Sequence, residues 1–185
     1  IVCQKKDESN EGYLFMATTK GTIKKTPLKE FDNIRNSGLI AIKLSNGDEL
    51  RWIQKTTGNN DVIISTSAGQ AIRFNEKEAR PMGRSAMGVR GVRLRPNDEV
   101  VGMDIVDDDS RKLLVMSENG YGKVTKVANF PSHKRGGVGI KAGVVTSKTG
   151  RIVAVHTVDP DATEVLFIST GGQAIRVGLS DIPTL

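Results

Sequence analysis

A glycine hairpin recurs four times along this chain, in MATTKGTIKKT, IISTSAGQAIRF, VMSENGYGKVTK and FISTGGQAIRV, anchored at Gly21, Gly69, Gly120 and Gly172. Each copy is a short apolar run, a turn and a second run carrying a cation. A period of about fifty residues belongs to blade or solenoid architectures, in which every unit buries its apolar face against its neighbours. The repeat therefore predicts an all-β chain of four-stranded antiparallel blades before any single motif is read. It also delivers a basic side chain once per unit, a spacing suited to a regularly charged polymer.

The second unit is the clearest template. Asp61 to Thr66 is a β-branched run short enough for a buried strand, and Ser67-Ala68-Gly69 turns it back through Gln70 to Phe74. A polar stretch from Asn75 to Arg80 then leads through Pro81 into a glycine-rich loop. Val89 to Leu94, V-R-G-V-R-L, reads as a third strand, with Val92 and Leu94 on the buried face and Gly91 and Arg93 on the other. Pro96-Asn97-Asp98 turns into a fourth strand from Glu99 to Val106. By the same order, Gly38 to Leu44 and Val138 to Val145 are third strands of the first and third units. The units fall at 13–60, 61–110 and 111–162, with an incomplete one at 163–185 and the end of a preceding blade at 1–12, where Ile1 to Gln4 reads as a last strand. The whole reads as one arc of a longer repeat.

Lys and Arg number 27 against 21 Asp and Glu, a net charge of +6 that favours an anionic partner. Cys3 is the sole cysteine, so neither an intrachain disulfide framework nor a tetrathiolate metal site is possible, which points to an intracellular protein. No apolar run reaches membrane-spanning length, and the expectation is a cytoplasmic chain with no membrane partner. Aromatic residues are scarce at 4 %, which disfavours a single-strand binder built on stacking platforms. Phosphate contacts would carry any nucleic-acid binding.

Four places after each anchor glycine stand Lys25, Arg73, Val124 and Arg176, with Lys24 and Lys123 one place earlier and Lys126 further on in the unit that has valine. Lysine is rarely buried, so Lys24, Lys25 and Lys126 are expected to reach solvent and face a partner. A second basic set lies in the loops, at Arg35, Arg84, Lys134 and Arg135, each ahead of a glycine that lets backbone approach an anion. The competing reading makes Arg35, Arg84 and Arg135 structural, capping carbonyls of their own units. With Arg90, these cations form the candidate DNA-binding set. Because bending a duplex costs on the order of 1 to 6 kcal/mol, cations spaced around a curved body suit wrapping better than one patch does.

No catalytic constellation assembles. His133 and His156 lack partners at motif spacing, and the GGVG at Gly136 to Gly139 lacks the Gly-Lys-Ser/Thr ending of a phosphate loop. Asp107 to Asp109, Asp159 and Asp161 read as solvated turn acids, and no metal site is expected.

The strings YLFMATTKGTIKKTPLKEFDNIR, AIRFNEKEARPMGRSAMGVRGVRL, LLVMSENGYGKVTK, KRGGVGI and ISTGGQAIRVGLSDI resemble the C-terminal domain of DNA gyrase A over nearly the whole chain. The resemblance implies a β-pinwheel, a propeller-like disc whose blades exchange strands and whose basic rim wraps double-stranded DNA. It implies a non-catalytic module that supports ATP-dependent negative supercoiling beside the N-terminal part of gyrase A and its partner gyrase B, in the bacterial nucleoid. ATP, Mg and the catalytic tyrosine would act elsewhere in the holoenzyme. The family's first-blade box, Gln-Arg-Arg-Gly-Gly-Lys-Gly, has no counterpart here; Lys134 to Gly139 is box-like but sits in a later blade. The corresponding domain of topoisomerase IV, or a propeller that binds an acidic protein, are the alternatives.

Overall fold

The computed structural model describes residues 11–33 and 36–185, so the strand expected at Ile1 to Gln4 and the role expected of Arg35 lie outside the described residues. The first unit contributes β1 (Tyr13–Thr18), β2 (Thr22–Pro27) and β3 (Leu50–Thr56). The second contributes β4 (Asp61–Thr66), β5 (Gln70–Asn75), β6 (Val89–Arg90) and β7 (Val100–Val106). The third contributes β8 (Lys112–Ser117), β9 (Gly122–Lys126), β10 (Ile140–Lys141) and β11 (Ile152–Val158), and the last hairpin is β12 (Glu164–Ile168) with β13 (Ala174–Gly178). A single 3-10 turn follows each hairpin, at Leu28–Phe31, Glu76–Glu78, Val127–Asn129 and Leu179–Asp181. The fold is all-β, as the repeat predicts.

The sheets do not coincide with the sequence units. The first runs β3-β1-β2-β6 and the second β7-β4-β5-β10, so each takes its outermost strand from the following unit. The third runs β11-β8-β9 and the fourth is β12-β13. All pairings between these strands are antiparallel. At the opposite edge β3, β7 and β11 pack on one another, which makes that side the hub of the arc.

The strands lent across units are much shorter than the alternation suggests, and Gly38 to Leu44 forms no strand. Two successive amides explain the early stop. Gly91 N and Val92 N both donate to Gly21 O, at 2.8 and 3.4 Å, and Ala142 N and Gly143 N both donate to Gly69 O, at 2.8 and 3.1 Å. Chain that converges on one carbonyl turns around it and cannot stay pleated. The turn also separates Arg90 from Val92, which strict alternation would place on one face: Arg90 is exposed and Val92 is buried. Gly38 to Leu44 has no preceding hairpin to join among the described residues.

Stacking of the sheets explains why the first strand of a hairpin is apolar at consecutive positions. Val62 and Ile64 pack with Phe15, Ala17 and Ile23 of the first sheet, while Ile63 points the other way, toward Leu113 and Val115 of the third. Phe15 and Phe74 meet with ring centroids 6.4 Å apart. A third cluster joins Leu114 and Val124 to Val165 and Phe167 of the last hairpin. Each fully buried side chain of this size contributes about 2 to 3 kcal/mol relative to exposure. The hub strands share these apolar clusters and are joined in addition by polar groups centred on Asp104 of β7. Gln54 Nε2 of β3 donates to its Oδ1 at 2.9 Å, and Thr157 N of β11 donates to its Oδ2 at 2.7 Å.

Both kinds of joint can be tested by unfolding. Gly88 and Gly139 have positive φ, and an added Cβ would meet Ile23 O at 2.4 Å and Ala71 O at 2.3 Å, whereas at Gly38 it would meet nothing within 4 Å. Gly139→Ala is expected to cost about 2–4 kcal/mol in urea unfolding, and Gly38→Ala about 1 kcal/mol for its left-handed backbone alone. His156 lies beside the hub aspartate, Nδ1 3.6 Å from Asp104 Oδ2, and interaction with that carboxylate outweighs desolvation and raises the imidazole pKa. The stability this adds is fully present below the unfolded-state pKa of about 6.5 and is lost as pH rises through the higher folded value. The urea midpoint should fall over that window, and His156→Gln should flatten the fall.

Candidate functional site

The lysines that follow the first hairpin glycine are interior residues. Lys24 is fully buried, with Nζ donating to Ala41 O at 2.7 Å and to Arg84 O at 2.5 Å. Lys25 is 3 % exposed; its Nζ donates to Glu76 O at 2.9 Å, lies 3.6 Å from Glu76 Oε2 and sits 5.0 Å from the centre of the Tyr13 ring. Glu76 is itself fully buried and accepts from Thr56 Oγ1, Gly58 N and Asn60 N. Desolvation lowers the pKa of both lysines, against the pull of Glu76 on Lys25. The expectation that Lys24 and Lys25 reach solvent is therefore corrected. Strand β2 is an inner strand, covered by the loop that arrives from the second unit, and each ammonium closes that seam on carbonyl oxygens.

The residue four places after the glycine is matched to the residue that begins its own hairpin. Arg73 Nε is 2.8 Å from Asp61 Oδ2, with Nη2 2.7 Å from Asp109 Oδ1, and Arg176 Nη1 is 3.7 Å from Glu164 Oε2. Lys25 faces Tyr13 at that place, and in the third unit Val124 stands with Lys112, so cation and acid are lost together. Arg73 is half-buried and Arg176 exposed. Of the remaining members, Lys123 is half-buried and Lys126 exposed.

The parallel bridges Lys25↔Pro81, Arg73↔Ser132 and Val124↔Thr184 align the loops and make Arg84 and Arg135 equivalent. Arg135 Nε donates to Glu78 O at 2.9 Å and Nη1 to Arg90 O at 2.8 Å. It caps carbonyls, but those of the preceding unit rather than its own. Arg84 is half-buried, its carbonyl is held by Lys24, and its Nε is buried with no hydrogen-bond partner. Lys134 is exposed.

What the structure presents outward at equivalent places is a different set. Arg90 pairs with Thr22 and Lys141 with Gln70, each opposite the residue that follows a hairpin glycine, and both are exposed. Ile40, two places after Gly38 as they are after Gly88 and Gly139, is 71 % exposed. Three residues further on stand Lys43, Arg93 and Val144, all exposed. Lys43 N donates to Ala86 O at 3.1 Å and Arg93 N to Gly137 O at 2.8 Å, which ties each to the loop of the next unit in the same way. Aligning the repeat on Gly38, Gly88 and Gly139, instead of on the hairpin glycines, would have exposed Lys43, Arg93 and Lys141 in the sequence.

Two turn acids, unremarkable in the sequence, organise their turns. Asp48 accepts from Thr18 Oγ1, Thr19 Oγ1, Lys20 N and Glu49 N, and Asp98 from Ser67 Oγ, Ala68 N and Glu99 N. Burial alone would raise the pKa of Asp48, but these hydrogen bonds outweigh it and hold the carboxyl below its ordinary value. The signal in the sequence is the Asp-Glu pair that follows both turns.

The family model for the DNA gyrase C-terminal domain, beta-propeller, matches residues 12–57, 60–107, 111–159 and 163–185. The chain is 41 % identical to DNA gyrase A of Staphylococcus epidermidis and 39 % to that of Staphylococcus aureus, over 98 % of its own length and 20 % of theirs. It thus spans about a fifth of these relatives. Among solved structures it is similar to the C-terminal domain of DNA topoisomerase IV, with a TM-score of 0.90 and 25 % identity over 98 % of this chain and 56 % of that one. It is also similar to the DNA gyrase A C-terminal domain, with a TM-score of 0.83 and 28 % identity over 98 % and 60 %.

The buried pairing at β2 makes its own prediction. Lys25→Met, which strands the Glu76 carboxylate, is expected to lower the unfolding free energy by about 3 kcal/mol. Lys43→Met, at an exposed position, should change it by less than about 0.5 kcal/mol. Urea unfolding of both variants checks the contrast.

Proposed function

Because the chain belongs to the DNA gyrase C-terminal domain family, that of gyrase A, we propose that it is a non-catalytic module that binds duplex DNA and bends it along the cation-bearing edge opposite the hub. The observation that carries this reading is the repeated placement of Arg90 and Lys141 at one register position on successive sheets, with the exposed Lys43 and Arg93 at a second equivalent position. Contacts delivered at fixed intervals along an arc meet the requirement for bending, and contacts to phosphate are indifferent to base sequence. Lys24, Lys25 and Arg73 serve instead to hold the edge in shape, and Arg84 and Arg135 anchor the loops behind it.

In this reading the chain is a single pinwheel arc, with units at 13–60, 61–110, 111–162 and 163–185, that works in the bacterial cytoplasm within the nucleoid. It holds DNA for the N-terminal part of gyrase A and for gyrase B, where ATP, Mg and the catalytic tyrosine act, and so supports negative supercoiling. The backbone likeness to the topoisomerase IV domain favours a second reading, in which the parent enzyme decatenates without introducing negative supercoils. Residue identity to gyrase A favours the first.

Four phosphate contacts release counterions to give a slope of log K against log salt of about −3.6. A titration of the chain with duplexes of unrelated sequence should find a slope steeper than about −3 and little sequence preference, and gel mobility should report a bend. Salt-insensitive binding, or none, would sink the reading. Supercoiling and decatenation assays on the parent enzyme separate gyrase from topoisomerase IV.

A further inference from the structure

The edge positions are equivalent in backbone but not in charge. The place held by Arg90 in the second unit and Lys141 in the third is Ile40 in the first, and the place held by Lys43 and Arg93 is Val144 in the third. Only the second unit therefore has a cation at both positions. Its edge is reinforced from behind, because the loop of the third unit is laced onto it. Gly136 N donates to Gly91 O at 2.6 Å, Arg93 N to Gly137 O at 2.8 Å, and Arg135 Nη1 to Arg90 O at 2.8 Å. Lys134 and Arg135 thus add their charges beside Arg90 and Arg93. At the preceding junction the residue equivalent to Lys134 is Gly83, the equivalents of Arg93 and Arg135 are Lys43 and Arg84, and Lys24 and Lys25 are buried in the seam.

We infer that the junction of the second and third units is the principal phosphate-contact site of this arc, with Arg90, Arg93 and Lys134 as contacts and Arg135 as a positioning residue. Ile40 and Val144 are uncharged breaks that leave one edge cation each, Lys43 and Lys141, to the flanking units, so the contact is strongest at that junction. The inference rests on the DNA-binding reading above. Arg135 acts through the backbone: its guanidinium holds the carbonyl of Arg90, and its own charge is displayed where the edge strand ends. The breaks are places where the backbone already presents a side chain to solvent, as the 71 % exposure of Ile40 and the 57 % exposure of Val144 demonstrate. A cation introduced there needs no new fold to reach a phosphate.

The test is fluorescence anisotropy with a labelled duplex of random sequence, about 30 base pairs long, titrated across salt. Arg90→Gln and Arg93→Gln should each make the slope shallower by about 1, and Arg135→Gln should lower affinity while Arg135→Lys, lacking the two-pronged guanidinium, fails to restore it. Ile40→Arg and Val144→Arg should each make the slope steeper by about 0.9 and tighten binding by up to about eightfold at 0.1 M salt, one released counterion's worth over a 1 M reference. Lys112→Gln, which removes equal charge from an exposed position away from the edge, should leave the slope unchanged. The inference is overturned if Lys112→Gln and Arg90→Gln weaken binding equally, since net charge alone would then govern it. It is likewise overturned if neither new arginine tightens binding. A chain that binds DNA and shows either result leaves the DNA-binding reading standing, whereas a chain that binds no DNA overturns both.

Discussion

Close approach of one backbone to another at the left-handed glycines is the constraint on which the rest of this structure depends. At Gly88 and Gly139 the chain of one unit passes so near the second strand of the preceding hairpin that no side chain fits between them. From there it turns around the carbonyl of the hairpin glycine, Gly21 or Gly69, and leaves the sheet after two paired residues. Everything outward of the hub follows from that passage. It makes β2 and β5 inner strands, closes the first two sheets with chain from the following units, and sets the place from which Arg90 and Lys141 project. Without it Lys24 would face water, and the loop carbonyls it holds would need other donors.

The charges divide into two populations that composition cannot separate. One is compensated by acids: Lys25 with Glu76 in the interior, and at half-buried positions Arg73 with Asp61 and Asp109 and Arg111 with Asp107 and Asp159. These cations appear once per unit because each unit must be joined to its neighbour, and a buried ion costs too much unless it is paired or hydrogen-bonded. The second population stands exposed on the lent strands and the segments after them, at Arg90, Lys141, Lys43 and Arg93. The inner cations are neutralised within a few ångströms by the acids beside them, so they leave little positive field at the edge.

The hairpins, their glycine turns and the all-β class were legible because they depend on local chemistry, namely β-branched runs broken by a residue that accepts positive φ. Resemblance to the gyrase domain is legible from runs of seven residues or more. The division of labour among the cations was not. Lys24 looks solvent-seeking in the string T-I-K-K-T, and only the arrival of the loop at Ala41 and Arg84 makes it interior. The edge position was hidden for a related reason. Arg90 and Lys141 are equivalent by reference to Gly21 and Gly69 in other units, so treating each unit as self-contained aligns the wrong glycines. Strand length at Val89 to Leu94 is hidden in the sequence because nothing in the alternation announces two amides turning to one carbonyl.

Lending of strands also orders events during synthesis. The first sheet opens at Tyr13 and is closed only by Val89 and Arg90, and the second opens at Asp61 and is closed by Ile140 and Lys141. A ribosome extends the chain from its N-terminal end, so each hairpin emerges well before the residues that seal its edge. During that interval β2 or β5 offers unpaired amides and carbonyls to any strand at hand. The earliest correct competitor is the segment that begins Gly-apolar-cation in the next unit, and its single-turn grip on the hairpin glycine is short enough to form as soon as it clears the exit tunnel. In chain order, each unit thus carries the latch for the one before it.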